Sequence, residues 1–187
     1  RQVSSAASDV YKRQIDDASN WYVRRSRKRF WKSDNDGDKQ QAYQTLHYFL
    51  VHLSQIMAPF VPFMAEELFK QLTDEESVHL TDWPTAGHVN EQLIQEMALA
   101  RESVTKGLSL RAQSQLKVRQ PLASATVPKV SEEFAGIILE ELNVKSLKFA
   151  DEVEIDTNLT PELEAEGQAR ELIRLIQSAR KQADLDV

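Results

Sequence analysis

Residues 43–72, YQTLHYFLVHLSQIMAPFVPFMAEELFKQL, set the architecture. Tyr43, Leu46, Leu50, Leu53 and Met57 follow one another at alternating spacings of three and four, and Phe49 and Ile56 widen the stripe. That is the period of a helix with one apolar face, about four turns long. Pro59 and Pro62 then interrupt it, because each lacks an amide donor and collides with the preceding turn. Phe63, Met64, Leu68, Phe69 and Leu72 resume helical spacing beyond the break. The spacing predicts two helices joined by a kink or short bend and stacked nearly end to end, with the stripes as core.

Working outward, residues 15–32 read as a preceding helix. Asp16, Asp17 and Asn20 lie near its start and basic residues toward its end, as the helix dipole favours. Residues 33–37 (SDNDG) form a loop by composition. They have the texture of a calcium loop but lack its later bidentate Glu. Asp38 with Gln41 suggests a capping box. After the proline-bent pair, residues 73–89 form a loop, expected to be extended over 77–84 because the residue before Pro84 avoids the α region, in which Trp83 is expected to plug the open end of the bundle. A third amphipathic helix is expected over 91–113, burying Leu93, Met97, Ala100, Val104 and Leu108, with Gly107 a mild weakness. Composition then shifts. Residues 116–122 read as extended by the Pro121 rule, and 125–127 as a short strand. A helix capped by Ser131 runs through Leu142. Residues 144–149 and 153–157 alternate like the strands of a hairpin. A last helix is capped by Thr160 with Pro161 at its first position, and buries Leu172, Ile173, Ile176, Ala179 and Ala183. The expected fold is mainly α: an antiparallel helical bundle over 15–115, followed by a small α+β module over 116–187 that is expected to be truncated.

Composition limits the function classes. The chain has 187 residues, 41% hydrophobic and 28% charged, with no cysteine. Disulfides and thiolate metal sites are therefore excluded within it. His47, His52, His79 and His88 are scattered, and the first two miss the i, i+4 spacing of a helical metal pair. No apolar run approaches the roughly 18–20 residues of a membrane span. Adjacent carboxylates such as Glu66/Glu67 point about 100° apart on a helix and make poor acid/base dyads. No nucleophile motif, phosphate-binding glycine loop or metal spacing occurs. No catalytic residue and no metal ligand is expected here.

Residues 1–14 are expected to be non-native. The peptide SSAASDVYKRQ (4–14) back-translates codon by codon to the mosaic-end adapter of a transposase sequencing library. The parent reading frame is then expected to begin upstream of Ile15. Removing these residues takes the formal charge from −6 to −8.

Against that acidic background stands residues 21–32, WYVRRSRKRFWK, with six positive charges and no negative one. At about 100° per residue, Arg24, Arg25, Lys28, Arg29 and Lys32 share an arc of about 140° that includes Trp21. Val23, Ser26 and Phe30 lie opposite and can pack inward. A solvated helix face usually mixes signs at i, i+4, whereas Arg24/Lys28 and Lys28/Lys32 repel. A polyanion offsets that repulsion: cations neutralise phosphates and aromatics stack on unpaired bases. An acidic protein surface, or plain solvent, is the competing reading. Arg27 and Trp31 belong to the same cluster. Arg111, Lys117 and Arg119 form a second and smaller cluster that reads equally as ordinary loop charge.

The same segments carry a resemblance. Residues 20–31 (NWYVRRSRKRFW) resemble the opening helix of the anticodon-binding domain of isoleucyl-tRNA synthetases. Residues 57–68 (MAPFVPFMAEEL) resemble the proline-bent element of class I synthetases of the isoleucine, valine and leucine group. Residues 77–84 (SVHLTDWP) are similar to the loop that follows it. Residues 116–122 (LKVRQPL) and 141–145 (ELNVK) resemble isoleucine-specific signatures, and 166–174 (EGQARELIR) the last helix. These motifs occur in family order over residues 15–187. The resemblance implies a cytoplasmic, monomeric ligase that charges tRNA with isoleucine. ATP and Mg would sit in a catalytic domain upstream in the same chain, and a separate domain would edit valyl-tRNA. It also implies that this stretch binds the anticodon stem-loop and holds no cofactor itself. Trp21, Arg24, Arg25, Arg27, Lys28, Arg29, Trp31 and Lys32 are the expected RNA contacts, with Lys117 and Arg119 secondary. Many bacterial members carry a Cys-rich zinc element at the extreme C-terminus; no Cys occurs in this chain, so the resemblance implies either the zinc-free subtype or a truncation. The competing readings are a valyl- or leucyl-type bundle, a non-enzymatic RNA-binding module and a helical protein-interaction domain.

Overall fold

The computed structural model describes residues 15–31, 36–85 and 87–185. The chain is mainly helical with one three-stranded sheet. It divides between Gly87 and His88 into two compact units. These units part earlier than the expected 15–115 and 116–187, because the helix over 91–113 packs on elements of the second. The expectation about residues 1–14 lies outside the described residues. No helix among the described residues is long and apolar enough to cross a membrane.

The first unit opens on a π-helical segment, Asp17–Val23, that runs directly into α1 (Arg24–Trp31). The uniform helix expected over 15–32 is thus widened over its first part. Ser26 and Phe30 are buried, as the spacing predicts. The Phe30 ring sits among Tyr22, Trp31 and Tyr43, and the Tyr22 hydroxyl donates to the Ala42 carbonyl at 2.9 Å. α2 (Asp36–Met57) begins two residues before Asp38, so Asp38 lies inside the first turn and is not the expected cap.

The proline break is a reversal, not a bend. Phe60 and Val61 both donate their backbone N–H to the Met57 carbonyl, at 2.9 and 3.0 Å, and Pro62 starts α3 (Pro62–Leu72). α3 then returns alongside α2, where His47 Nε2 donates to the Leu72 carbonyl at 2.8 Å. Two donor-less residues within four leave no ladder to carry the helix straight on. A side-by-side hairpin also buries apolar faces that an end-to-end stack would leave wet. Ala58, Ala65, Phe69 and Val78 form that core, with Val51 and Met57 against it. Full burial of Phe69 contributes about 2–3 kcal/mol. Phe63 and Met64, expected in the stripe, point outward, and Phe63 is 90% exposed. Val78 belongs to a single 3-10 turn, Val78–Leu80, inside the stretch expected to be extended. Glu66 ties that loop down. It accepts from the Ser77 hydroxyl at 2.8 Å and the Val78 N–H at 3.0 Å, and pairs with Lys70 at 2.8 Å. Lys70 first, then Ser77, push its carboxyl down to about 2. Val78 fills the place expected of Trp83, which is 62% exposed.

In the second unit α4 (Glu91–Gln113) starts where Asn90 Oδ1 accepts from the Leu93 N–H at 3.0 Å. β1 (Leu122–Val127), α5 (Glu132–Leu142), β2 (Val144–Phe149), β3 (Glu154–Ile155) and α6 (Pro161–Gln182) follow. The sheet order is β2-β1-β3. β1 is parallel to β2, with Leu122 opposite Val144 and Val127 opposite Phe149, and antiparallel to β3, with Ala125 opposite Ile155. The expected hairpin of the last two strands is therefore corrected: β1 lies between them. A parallel β1/β2 pair needs a crossover helix, which α5 supplies. The apolar faces of β1 and α5, with Leu122, Val127, Phe134, Ile138 and Leu142 buried, outweigh a local hairpin. Ser131 precedes α5 but makes no side-chain capping bond. Thr160 does cap α6, accepting from the Leu163 N–H. Of α6, Leu163 and Gly167 are buried, whereas Leu172, Ile173 and Ile176, expected as core, are more than half exposed.

The inner face of α4 is Ala100, Ser103, Val104, Gly107 and Arg111, shifted from the expected one, with Leu93 exposed. Gly107 is not a weakness but a close approach. A Cβ there would stand 2.7 and 2.8 Å from the two methyls of Leu142, which is fully buried. Gly107→Ala is expected to destabilise the second unit by about 1–3 kcal/mol through overpacking, despite the roughly 1 kcal/mol that alanine gains in helix propensity. Urea denaturation followed by circular dichroism measures it; an unchanged or raised midpoint would contradict the packing described.

Arg111 is the largest fully buried side chain in the chain's described part. Its Nη1 donates to the Leu142 carbonyl at 3.1 Å, and its Nη2 to the Lys117 carbonyl at 2.7 Å and to that of Gln120. Residues 116–120 consequently form a turn, closed by the Gln120 N–H on the Lys117 carbonyl, rather than the expected extended run. Asn143, in left-handed conformation at the end of α5, donates to the Val118 and Arg119 carbonyls, and Gln120 Nε2 donates to the Leu163 carbonyl at 2.6 Å.

Candidate nucleic-acid interface

α1 presents its cations unevenly. Arg24, Arg27, Lys28 and Trp31 face solvent together and line a cleft of about 710 Å³. On a helical wheel these four span about 100°, centred roughly 80° away from the arc expected of the cationic face. The rotation follows from packing. With Ser26 and Phe30 inward, Arg25 and Arg29 fall on the flank toward α2 and are only half exposed.

Arg29 is committed within the protein. Its Nε lies 3.0 Å from each Asp38 oxygen, and its Nη2 2.6 Å from Oδ1. That fork holds the Asp38 carboxyl below its ordinary range and raises the Arg29 guanidinium. Arg29, expected as a phosphate contact, is engaged in pinning α1 to the start of α2. Sequence reading missed Asp38 as its partner because an acidic residue nine positions on, beyond a loop, fits a cap equally well. Arg25 also has a partner within the protein. Lys32 lies outside the described residues.

The outward cations are organised by aromatics. The Arg27 guanidinium sits 5.5 Å from the Trp31 ring centre, and that of Arg24 6.0 Å from Trp21. Arg24 Nε donates to the Asn20 carbonyl at 2.7 Å. These contacts extend both arginines along the helix surface, where both stay exposed, and Arg24 has a further partner within the protein. Trp31 is 71% exposed, whereas Trp21 is half buried. Such a face can bind a phosphate chain, by charge and by charge-assisted hydrogen bonds.

Lys117 and Arg119 belong to the second unit, on the turn that Arg111 holds. Both are exposed. Arg119 Nη1 is 3.8 Å from Glu171 Oε2 of α6, while Glu171 Oε1 accepts from Arg174 Nη2 at 2.7 Å. Glu171 is lowered first by Arg174, with Lys117 and Arg119 adding to the effect. Arg111 is no surface charge at all. No group of three or more His, Asp or Glu that could hold a metal occurs among the described residues.

Comparison with known proteins bears on this arrangement. Residues 1–127 match the family model described as the anticodon-binding domain of tRNA ligase. The chain is 45% identical over 202 aligned positions to an isoleucine–tRNA ligase of Dehalococcoides mccartyi (strain CBDB1), covering 90% of this chain and 20% of the relative. It is 42% identical to the isoleucine–tRNA ligase of Chlamydia trachomatis serovar D, and 44% to that of Chlamydia muridarum, each over 74% of this chain and 14% of the relative. The chain thus spans a fifth or less of the length of these curated relatives.

Proposed function

The chain belongs to the family of anticodon-binding domains of tRNA ligases, and from that membership we propose that it is the tRNA-gripping part of an isoleucine–tRNA ligase. The outward face of Arg24, Arg27, Lys28 and Trp31 carries the reading. It lies along the backbone of the anticodon stem-loop, with the cations against phosphates. Trp21 stays largely a packing residue that steadies Arg24. Lys117 and Arg119 supply secondary contacts, weakened by Glu171. The relatives' identities of 42–45% support isoleucine as the amino acid, and nothing in the chain favours a valyl- or leucyl-type ligase.

In this reading the chain performs no chemistry. It orients a tRNA so that the far end reaches a catalytic domain of the same parent protein, a matter of positioning. ATP and Mg belong to that domain, which would form the isoleucyl-adenylate. An editing domain has a physical reason to exist beside it. A hydrophobic pocket separates isoleucine from valine by only about 150-fold, a value already established for isoleucyl-tRNA synthetases. The parent protein is proposed to be a cytoplasmic monomer.

The test has two readings. The parent protein is expected to charge tRNA with isoleucine in preference to valine and leucine, and preferential charging with either of those would overturn the assignment. This chain alone is expected to bind the matching tRNA with an affinity that falls steeply as salt rises, at a slope of about −2 to −3 in log–log terms for three to four phosphates. A flat salt dependence would remove the cationic face from the interface.

A further inference from the structure

α6 packs on the second unit by one side only. Leu163 and Gly167 are its buried residues, and every residue from Leu172 to Leu185 is exposed. Yet the outer side is not polar. Ala165, Ala169, Leu172, Ile176, Ala179 and Ala183 recur at spacings of four and three, the repeat of a coiled-coil seam. At about 100° per residue these six share an arc of about 80°, centred opposite Leu163 and Gly167. Ile173 and Leu175 flank the arc on either side. Leu172, Ile173, Leu175 and Ile176 are each more than half exposed. A seam of this period left open to water has the form of a surface for another helix.

We propose that two copies of this chain pair through α6, helix against helix in antiparallel. The seam is complementary to its own reverse. With the second helix turned about position 174, Leu172 meets the partner's Ile176, Ala169 the partner's Ala179, and Ala165 the partner's Ala183. Every seam residue thus finds a seam residue, as a two-fold contact between identical surfaces requires. Ile173 and Leu175 each meet their own counterpart beside the axis, and the alanines at both ends let the helices close. Charge fixes the direction. The first half of α6, 161–171, holds four glutamates against one arginine, and the second, 172–182, three basic residues and no acid. Antiparallel pairing lays each acidic half on a basic one, whereas parallel pairing sets like on like. Glu166, which already holds Lys145 at 2.7 Å and Arg170 at 2.6 Å, comes opposite the partner's Arg180. Both members of that pair are engaged within their own chain, so the apolar layers carry the contact. The proposal concerns this chain and does not rest on the tRNA-binding reading; the monomer proposed above is the longer parent protein.

Sedimentation equilibrium of the whole chain is expected to show monomer giving way to dimer as concentration rises, since one helix per copy makes a small, weak interface. Leu172→Glu together with Ile176→Glu should abolish the dimer at every concentration. The circular dichroism spectrum should stay unchanged, because both positions are exposed. Direction is read by cross-linking, for which the cysteine-free chain is a clean background. An equal mixture of Ala169→Cys and Ala179→Cys chains, once oxidised, should give mixed disulfide dimers at several times the yield of either variant alone. An unmodified chain that stays monomeric at all concentrations overturns the proposal and leaves the seam to another part of the parent protein. A double-glutamate variant that still dimerises overturns it, as do disulfide dimers formed equally well by each cysteine variant alone. No RNA enters these measurements, so their failure leaves the tRNA-binding reading standing.

Discussion

A chain in which Arg24, Arg27 and Lys28 are all replaced by glutamate is expected to lose tRNA affinity by roughly 100-fold or more near physiological salt. Three attractive phosphate contacts become three repulsive ones. The salt slope should flatten by about 2 to 3, about one for each contact removed. The helical circular dichroism spectrum should persist, because these side chains face solvent and none fills the core. Arg29→Glu provides the contrast. It places a carboxylate against Asp38 in place of a forked ion pair, so its main effect should be on the stability of the first unit. Binding titrations at several salt concentrations, with melting curves on the same samples, separate the two. Equal affinity and slope for the triple variant would remove α1 from the interface.

Arg111→Leu is expected to be among the most damaging single substitutions, costing the second unit about 3–5 kcal/mol. The carbonyls of Leu142, Lys117 and Gln120 all accept from one guanidinium inside the fold. Leucine removes that donor from all three, the Leu142 carbonyl in a buried site, and lysine cannot reproduce the planar fork. Burial already works against the charged guanidinium and lowers its pKa, so the bonds must outweigh a substantial desolvation cost. Denaturant titration of Arg111→Leu and Arg111→Lys should show both destabilised, leucine the more. Faster amide exchange should appear across residues 116–122. A leucine variant as stable as the parent chain would mean the network contributes little.

What was legible in the sequence is local. The α4 boundaries, the Thr160–Pro161 start of α6, the helix ending at Leu142 and the burial of Ser26 and Phe30 follow from period and capping chemistry, which involve neighbours within a turn or two. Partner choice was not legible. Whether the proline break gives a bend or a reversal depends on Ala65 and Phe69 meeting α2, and a spacing rule holds no information on which face is met. β2 and β3 read as a hairpin because they are adjacent in sequence, yet both bond to β1. Arg111 read as a surface charge because a buried arginine is distinguished only by three distant carbonyls. The cationic cluster at 24–29 was visible as composition. Its division into outward Arg24, Arg27 and Lys28 and inward Arg29 depends on Asp38. Leu172, Ile173 and Ile176 show the converse error: helical apolar spacing reads as core whether or not this chain covers it.

The turn at 116–120 draws its shape from Arg111, Asn143 and Leu163, each delivered by a different helix. Like a keystone, it has no place to rest until its neighbours stand. In time, therefore, it should be set late during assembly and loosen early under stress. A nascent or damaged chain would then hold Lys117 and Arg119 out of register, so that only a finished molecule offers its second pair of charges.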